Sequence, residues 1–169
     1  GVKNHYVRQL GPNRMICRKV NILPLEVIVR NRAAGSIVRT TTIQEGQPII
    51  PAIVEFFLKD DSKHDPLLTP DRVKLMGIDP KPLQEQASII NELLLNVFNL
   101  IGMDLIDFKI EFGIDNHGEL LLADEISPDS MRLWSKENQD RYDKDLFRLD
   151  EGDLVPAYRT ILDKLHLFV

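Results

Sequence analysis

The sequence predicts an α+β fold. Short apolar runs rich in β-branched residues are typical of strands, and one long segment repeats its apolar residues at helical spacing. The segment "DFKIEF" alternates charged and apolar residues with the period of a strand. With 169 residues, of which 43% are hydrophobic, the chain is long enough to bury the core of one compact domain.

Strands are predicted at residues 15–20 and 25–29, with a break at Pro24, because both runs are apolar and β-branched. Two more strands, at 105–112 and 119–126, are separated by the turn sequence "IDNHG". This arrangement predicts a β-hairpin.

A helix is predicted from Pro80 to the C-cap residue Gly102, because apolar residues recur between them at intervals of three and four. A second, amphipathic helix is predicted at 154–165, with Pro156 in its first turn. The apolar run at 49–58 fits a strand or a buried helix equally well by periodicity.

Composition excludes several classes of protein. The chain has 21 basic and 26 acidic residues, a net charge of -5, and no long run of Lys and Arg, which argues against a nucleic-acid-binding protein. The longest apolar stretch, at 93–106, is too short and too polar for a membrane span. Cys17 is the single cysteine, so no intrachain disulfide forms, and a reducing compartment such as the cytoplasm is favoured.

The predicted hairpin carries charged residues that suggest a site. Asp107, Lys109 and Glu111 share one face of their strand. A solvated outer face is the commoner explanation in antiparallel sheets. If the numbers of directly paired residues add up to an odd number, however, Asp124 of the partner strand lies on that face. A slip of one residue in the pairing would send Asp124 to the other face. Two such carboxylates could hold a magnesium ion that also binds nucleotide phosphates.

The stretch "LLLADEISPDSMRLW" runs from apolar residues into two acids and then into a Ser-Pro-Asp turn. This order is typical of a buried strand that delivers a carboxylate to the rim of a sheet, where ligands bind.

A turn of small residues forms a possible anion site. In "EVIVRNRAAGS", a predicted strand ends at Arg30, and the small residues up to Ser36 would let backbone amides and a hydroxyl approach an anion. The guanidinium fork of Arg matches phosphate oxygens, and Arg132 could be a further contact. A sharp turn with solvated arginines remains the alternative.

Three segments resemble the SAICAR synthetase family, also called phosphoribosylaminoimidazole-succinocarboxamide synthase. They are "PLEVIVRNRAAGS", "DFKIEFG" followed by "LLADEISPDSMRLW", and "DKDLFR". The resemblance continues through "MICRKVNILPLE" and "FFLKDDSKHDP", and so covers nearly the whole chain.

The resemblance implies a fold and an activity. The fold would be a kinase-like, two-lobed nucleotide-binding fold with ATP in the cleft between the lobes. The activity would use ATP and Mg²⁺ to join L-aspartate to the carboxylate of carboxyaminoimidazole ribonucleotide, with release of ADP and phosphate. The expected partners are therefore these small molecules, in a cytoplasmic homodimer or other homo-oligomer, with neither nucleic acid nor membrane.

The resemblance also assigns roles to residues. The implied metal ligands are Glu111 and Asp124. Together with Arg18, Lys19 and Ile22, they would bind the nucleotide, with the segment at 17–22 against the adenine.

The implied catalytic residues are Lys109, Asp107 and Asp129. The implied substrate-binding residues are Arg30, Ser36, Arg132, Lys144 and Lys59. Lys109 would face the phosphates or the reacting carboxylate, and the arginines with Ser36 would hold the ribonucleotide 5′-phosphate.

The resemblance divides the chain in two, with residues 1–23 as a remnant of the N-terminal lobe and interlobe segment, and 24–169 as the C-terminal lobe. The glycine- and lysine-bearing loop that covers ATP phosphates in the family has no match in residues 1–19. A truncated chain of this kind is expected to bind the ribonucleotide, bind ATP weakly and turn over little. A non-catalytic phosphoribosyl-binding module and an unrelated phosphotransferase are the alternatives.

Overall fold

The computed structural model describes residues 1–150 and 152–167. The strands are β1 Tyr6–Gly11, β2 Arg14–Cys17, β3 Asn21–Ile22, β4 Leu25–Arg32, β5 Pro48–Leu58, β6 Leu67–Leu68, β7 Met103–Ile114, β8 Leu120–Ala123 and β9 Met131–Ser135. The helices are α1 Ser36–Thr40, α2 Pro70–Leu75, α3 Pro80–Leu100, α4 Asp145–Arg148 and α5 Leu154–His166, with a 3₁₀ turn at Asp61–Lys63.

These elements confirm the predicted α+β class. Strands β1 and β2 form a two-stranded sheet, and the larger sheet has the order β3-β7-β4-β5-β6, with β8 and β9 both paired to β7. The chain forms two compact units. Unit 1 comprises Gly1–Ile28, Glu55–Ile89 and Ile110–Glu125, and unit 2 comprises Val29–Val54, Ile90–Lys109 and Ile126–Val169. The lobe boundary after residue 23 stays a prediction.

The two long helices confirm the predictions from periodicity. Helix α3 buries Leu83, Ala87 and Ile90, and the chain leaves it through Gly102, whose φ is 73°. Helix α5 begins after Asp153, whose side chain accepts a hydrogen bond from the backbone of Val155. Within the described residues, every helix is too short or too polar to cross a lipid bilayer.

Several strands differ from the prediction. The strand predicted at 15–20 ends at Cys17. It pairs with β1, a strand that was not predicted. The apolar run at 49–58 is strand β5. Strand β9 was also not predicted, because the Pro-Asp turn before it pointed to a loop. It pairs antiparallel with β7, and Asp107 lies opposite Arg132.

The hairpin of β7 and β8 is confirmed, but the odd register is wrong. Glu111 lies opposite Ala123 and Phe112 opposite Leu122, so each pair sums to an even number. Asp124 follows the last residue of β8 and has a positive φ of 57°. Strand alternation therefore no longer sets the direction of its side chain, and the register does not bring it to Glu111.

The solvated face proposed for β7 is also absent. Asp107 is 3% exposed and Glu111 is 2% exposed. Each carboxylate has a cation beside it, Arg132 in unit 2 and Lys59 in unit 1. Pairing of this kind is what allows charged groups to be buried.

The fit of Gly113 in unit 1 leads to a first prediction. A Cβ on Gly113 would lie 2.5 Å from Cγ2 of Val20 and 3.1 Å from the backbone oxygen of Asn21. We expect Gly113→Ala to lower the free energy of unfolding by about 1–3 kcal/mol through overpacking. Chemical unfolding would measure the change.

Gly11→Ala is the matched control, because a Cβ there meets nothing within 4 Å. It should change the free energy of unfolding by less than about 0.5 kcal/mol. Equal effects at Gly11 and Gly113 would contradict the close approach of Val20.

Candidate functional site

A buried arginine organises the first part of the site in unit 2. Arg30 lies near the end of β4 and is only 1% exposed. Its Nη1 donates to Oδ2 of Asp107 at 2.8 Å and to the carbonyl oxygen of Ala34 at 3.1 Å. Its Nη2 donates to Oγ of Ser36 at 2.7 Å. The small-residue turn thus folds back onto the arginine that precedes it.

A second arginine reaches the same carboxylate from β9. Nη1 of Arg132 donates to Oδ2 of Asp107 at 2.8 Å, and its Nε donates to Oδ2 of Asp145 at 2.6 Å. Arg30, Ser36 and Arg132 therefore meet at one place, as predicted. We call Arg30, Ser36, Asp107, Arg132 and Asp145 the arginine cluster.

Gly35 makes room for this arrangement. Its φ of 64° and ψ of -124° are readily adopted only by glycine. A Cβ there would lie 2.5 Å from Nη2 of Arg132, so the guanidinium lies directly over the Gly35 backbone. Any side chain at this position would displace Arg132 from its two carboxylates.

The ionisation of the cluster follows from burial and charge. Burial raises the pKa of Asp107, although Arg132 and Arg30 oppose this. Burial alone would lower the pKa of Arg132, but Asp107 and the hydrogen bond to Asp145 outweigh it, so the pKa is raised. The pKa of Lys144 is lowered by burial and by repulsion from Arg148 and Arg132. A bound anion would relieve that repulsion.

Another carboxylate, outside the cluster, joins β9 to the start of α4. Asp143 is 0% exposed, and it accepts hydrogen bonds from the backbone of Leu133 at 2.8 Å and of Asp145 at 2.9 Å. Burial raises its pKa to about 6, against the effect of these two hydrogen bonds.

The other two residues predicted to be catalytic lie apart from these contacts. Asp129 is exposed, in the turn before β9, yet close enough to act electrostatically on Lys144. Lys109 is half-buried in β7, and its backbone N–H donates to the oxygen of Ser130 at 2.7 Å. Their catalytic roles stay predictions.

In unit 1, Nζ of Lys59 lies 2.6 Å from Oε2 of the buried Glu111. Lys59, which was predicted to bind substrate, thus lies beside the predicted metal ligand Glu111. Asp124 is exposed. Residues 1–150 and 152–167 hold no cluster of three or more His, Cys, Asp or Glu side chains that could bind a metal ion. The pairing of Glu111 with Asp124 stays a prediction.

Unit 1 also has an open cavity of about 500 Å³. It is lined by Arg18, Lys19, Val20, Asn21, Ile114, Asp115, Asn116 and His117. Arg18 lies 3.5 Å from Asp115 and 3.0 Å from Glu119. Of the five residues predicted to bind the nucleotide, Arg18 and Lys19 line this cavity. Ile22 follows the lining residue Asn21 in the chain and is paired with Gly113.

Sequence reasoning missed part of the site. In "DKDLFR" only Lys144 was assigned, whereas Asp143 and Asp145 make the contacts that join this segment to β9. The signal was present, because two acids flank the assigned lysine. Their partners could not be identified without knowing that β9 exists.

The fold and the arginine cluster define an α+β protein in which arginines and aspartates pair at one site. A family model described as SAICAR synthetase matches residues 1–165. The chain belongs to the SAICAR synthetase family, whose members are ligases of purine biosynthesis.

Similar proteins come from distant organisms. The phosphoribosylaminoimidazole-succinocarboxamide synthase of Staphylococcus saprophyticus is 44% identical over an alignment of 169 positions, which covers 98% of this chain and 72% of the relative. The synthase of Methanocaldococcus jannaschii is 46% identical over an alignment of 171 positions, which covers 99% of this chain and 71% of the relative.

Solved structures of SAICAR synthetases are also similar to this chain. A SAICAR synthetase (Type-2) in complex with ADP has a TM-score of 0.94 at 41% identity, covering 98% of this chain and 72% of the other. The enzyme from Pyrococcus horikoshii has a TM-score of 0.93 at 40% identity, covering 98% and 74%.

Gly35→Ala tests the geometry of the arginine cluster. We expect the substitution to displace Arg132, which would break its ion pairs with Asp107 and Asp145. The ¹⁵N NMR signal of the Arg132 Nε–H should then lose its protection from solvent exchange. The strained backbone should cost a further ~1–3 kcal/mol of unfolding free energy.

Gly77→Ala is the control, since Gly77 also has a positive φ, of 79°, but a Cβ there meets nothing within 4 Å. Gly77→Ala should lower the free energy of unfolding through backbone strain and leave the Arg132 signal unchanged. An undisturbed Arg132 in Gly35→Ala would contradict the geometry.

The pKa of Asp143 can be tested by ¹³C NMR titration of its carboxyl carbon. We expect a midpoint near pH 6, above the ordinary value of 3.8. Because the folded state binds this proton more tightly, the stability from Asp143 is full below about pH 4 and is lost as the pH rises through about 6. A midpoint below pH 4 would contradict the effect of burial.

Proposed function

We propose that this chain carries out the ATP-dependent joining of L-aspartate to carboxyaminoimidazole ribonucleotide, giving SAICAR, ADP and phosphate. One observation carries the proposal: Arg30, Ser36 and Arg132 meet in a single, partly buried cluster, in a chain that belongs to the synthetase family.

The arginine cluster is proposed to bind the 5′-phosphate of the ribonucleotide. Guanidinium forks and a hydroxyl are the groups that match phosphate oxygens. Asp107 holds both forks in place before the ligand arrives, which lowers the cost of ordering them on binding. Lys144 lies nearby, and burial together with repulsion from Arg148 and Arg132 lowers its pKa; a bound phosphate would favour its charged form.

ATP is proposed to bind in unit 1, with Arg18, Lys19 and Ile22 around its cavity. Two observations support this. Arg18 and Lys19 line the cavity, and a relative of known structure was solved in complex with ADP. The base would lie against the backbone of residues 17–22.

A magnesium ion is proposed to bind at Glu111 in unit 1. Glu111 is a buried carboxylate that pairs with the Lys59 ammonium, and a bound magnesium ion would take the place of that ammonium as its counter-charge. Magnesium in nucleotide sites is held by one or two carboxylates together with phosphate oxygens, which Glu111 and Asp124 could supply without a third acid. When bound, the ion neutralises negative charge on the ATP phosphates.

The chemistry is proposed to run in two steps. The γ-phosphoryl group of ATP passes to a carboxylate oxygen of the ribonucleotide, which forms an acyl phosphate and ADP. The aspartate amine then attacks the acyl carbon, a C–N bond forms, the C–O bond to phosphate breaks, and the amine loses a proton. The protein acts mainly by positioning and charge.

Within this scheme the predicted catalytic residues have separate roles. Lys109 is proposed to face the transferring phosphoryl group, and the exposed carboxylate of Asp129 to accept the proton of the amine. Asp107, which two arginines surround, is proposed to orient those arginines.

We also propose that the protein is a cytoplasmic homo-oligomer. The single cysteine, Cys17, favours a reducing compartment. Leu93 and Leu100 on α3 are 50% and 64% exposed, and exposed apolar side chains of this kind suit a subunit interface. Light scattering would measure the assembly.

The activity is tested by ADP release with each substrate omitted in turn. We expect slow release, in line with the low turnover expected from the sequence, and only when both L-aspartate and the ribonucleotide are present. Release that persists without aspartate would favour a phosphotransferase instead. Ribonucleotide binding without any release would favour a binding module.

Arg132→Lys tests the phosphate site. Lysine keeps the charge but loses the fork, so we expect the KM for the ribonucleotide to rise by about 10- to 100-fold, or roughly 1.4–2.8 kcal/mol. The KM for ATP should change by less than about twofold, because the proposal places ATP elsewhere.

Arg159→Lys is the control, since Arg159 is an exposed arginine of α5. It should leave both constants unchanged. Similar increases for ATP and for the ribonucleotide in Arg132→Lys would count against the assignment.

A further inference from the structure

Asp143 connects two segments that carry residues of the arginine cluster. Each of its carboxylate oxygens accepts a hydrogen bond from a backbone amide of a different segment, Oδ2 from Leu133 and Oδ1 from Asp145. The N–H of Tyr142 also donates to the oxygen of Leu133 at 2.8 Å. The segment before α4 is thereby held against β9.

The two amides flank residues of the arginine cluster. Leu133 directly follows Arg132 in β9. Asp145 carries the carboxylate that accepts from Nε of Arg132 at 2.6 Å. Lys144 lies between Asp143 and Asp145 in the chain. The position of Asp143 therefore sets the positions of the Arg132–Asp145 pair and of Lys144.

We propose that Asp143 is a positioning residue for the anion site, which holds the start of α4 against β9 so that Asp145 fixes Arg132 and Lys144 is presented beside it. This inference rests on the proposed function, because it assumes that the cluster binds the ribonucleotide phosphate. Asp143 itself is not proposed to touch the substrate.

Only a carboxylate makes both contacts without conflict. An asparagine has one carbonyl oxygen, so its NH₂ group would face one of the two backbone N–H donors. That donor would be left without an acceptor in a fully buried place. The charged groups facing Asp143 are Asp145 from α4 and Arg132 from β9. The neighbouring acid makes ionisation less favourable, so a carboxylate here carries a cost that a neutral residue would avoid.

The test compares Asp143→Asn with Asp163→Asn, which makes the same change on an exposed part of α5. Binding of ribose 5-phosphate and of ADP is measured by calorimetry, and the ¹⁵N signal of the Arg132 Nε–H by NMR. We expect Asp143→Asn to weaken ribose 5-phosphate at least tenfold, to change ADP less than twofold, and to expose the Arg132 signal to solvent exchange. Asp163→Asn should match the unaltered protein.

Kinetics give a second readout. In Asp143→Asn the KM for the ribonucleotide should rise tenfold or more, while the KM values for ATP and aspartate should stay within twofold. A residue that only stabilises the fold would change all three together or none. Equal weakening of ADP and ribose 5-phosphate, or an unchanged Arg132 signal, overturns the proposal.

Asp143→Glu covers the case in which the asparagine variant does not fold. Glutamate keeps both acceptors and the charge but lengthens the side chain by one methylene, so it should shift the start of α4 and weaken ribose 5-phosphate by several-fold. Unchanged affinity in a folded Asp143→Glu also overturns the proposal. The Arg132 signal does not depend on turnover, so a failure of ligase activity in the unaltered chain would reject the proposed function and leave this test valid.

Discussion

The buried carboxylate of Asp107, held by two arginines, is the interaction on which the site in unit 2 depends. It accepts hydrogen bonds from Arg30 on β4 and from Arg132 on β9, so strands far apart in sequence are tied to one group. Removing the Asp107 carboxylate would leave the two guanidiniums close together without the partner that they share. An uncompensated buried charge is strongly destabilising. Burial raises the pKa of Asp107 while the arginines oppose the rise.

The same arrangement explains how a site for an anion can exist before the anion binds. The cations Arg30, Arg132, Lys144 and Arg148 lie near one another, and Asp107 and Asp145 make direct ion pairs with the arginines. Burial and, after it, repulsion from Arg148 and Arg132 lower the pKa of Lys144, and a phosphate would replace that repulsion with attraction. The Ala34 carbonyl oxygen and the Ser36 hydroxyl also accept hydrogen bonds from Arg30, so Asp107 is not the only group that holds this guanidinium.

The sequence was informative wherever one local rule decided the structure. Helix α3 followed from its apolar period and from Gly102, and the hairpin from a turn sequence between two apolar runs. The meeting of Arg30, Ser36 and Arg132 was also predicted, from residue types suited to anions and from the family resemblance.

Other features depended on contacts that no local pattern encodes. The register of β7 with β8 is even because of how the turn closes, and a positive φ then takes Asp124 out of the alternation. Asp107 and Glu111 looked like members of a solvated face, since their cationic partners lie in other segments. Asp143 was not assigned a role, because its partners are backbone amides of Leu133 and Asp145, which the acids beside Lys144 do not identify.

The most direct test of this account is a crystal structure of the protein with the ribonucleotide bound. The account predicts that the 5′-phosphate lies within hydrogen-bonding distance of the Arg132 guanidinium and the Ser36 hydroxyl, with Asp107 still paired to Arg30. A phosphate bound instead at Arg18 and Lys19, with the arginine cluster unchanged and closed around Asp107, would contradict it.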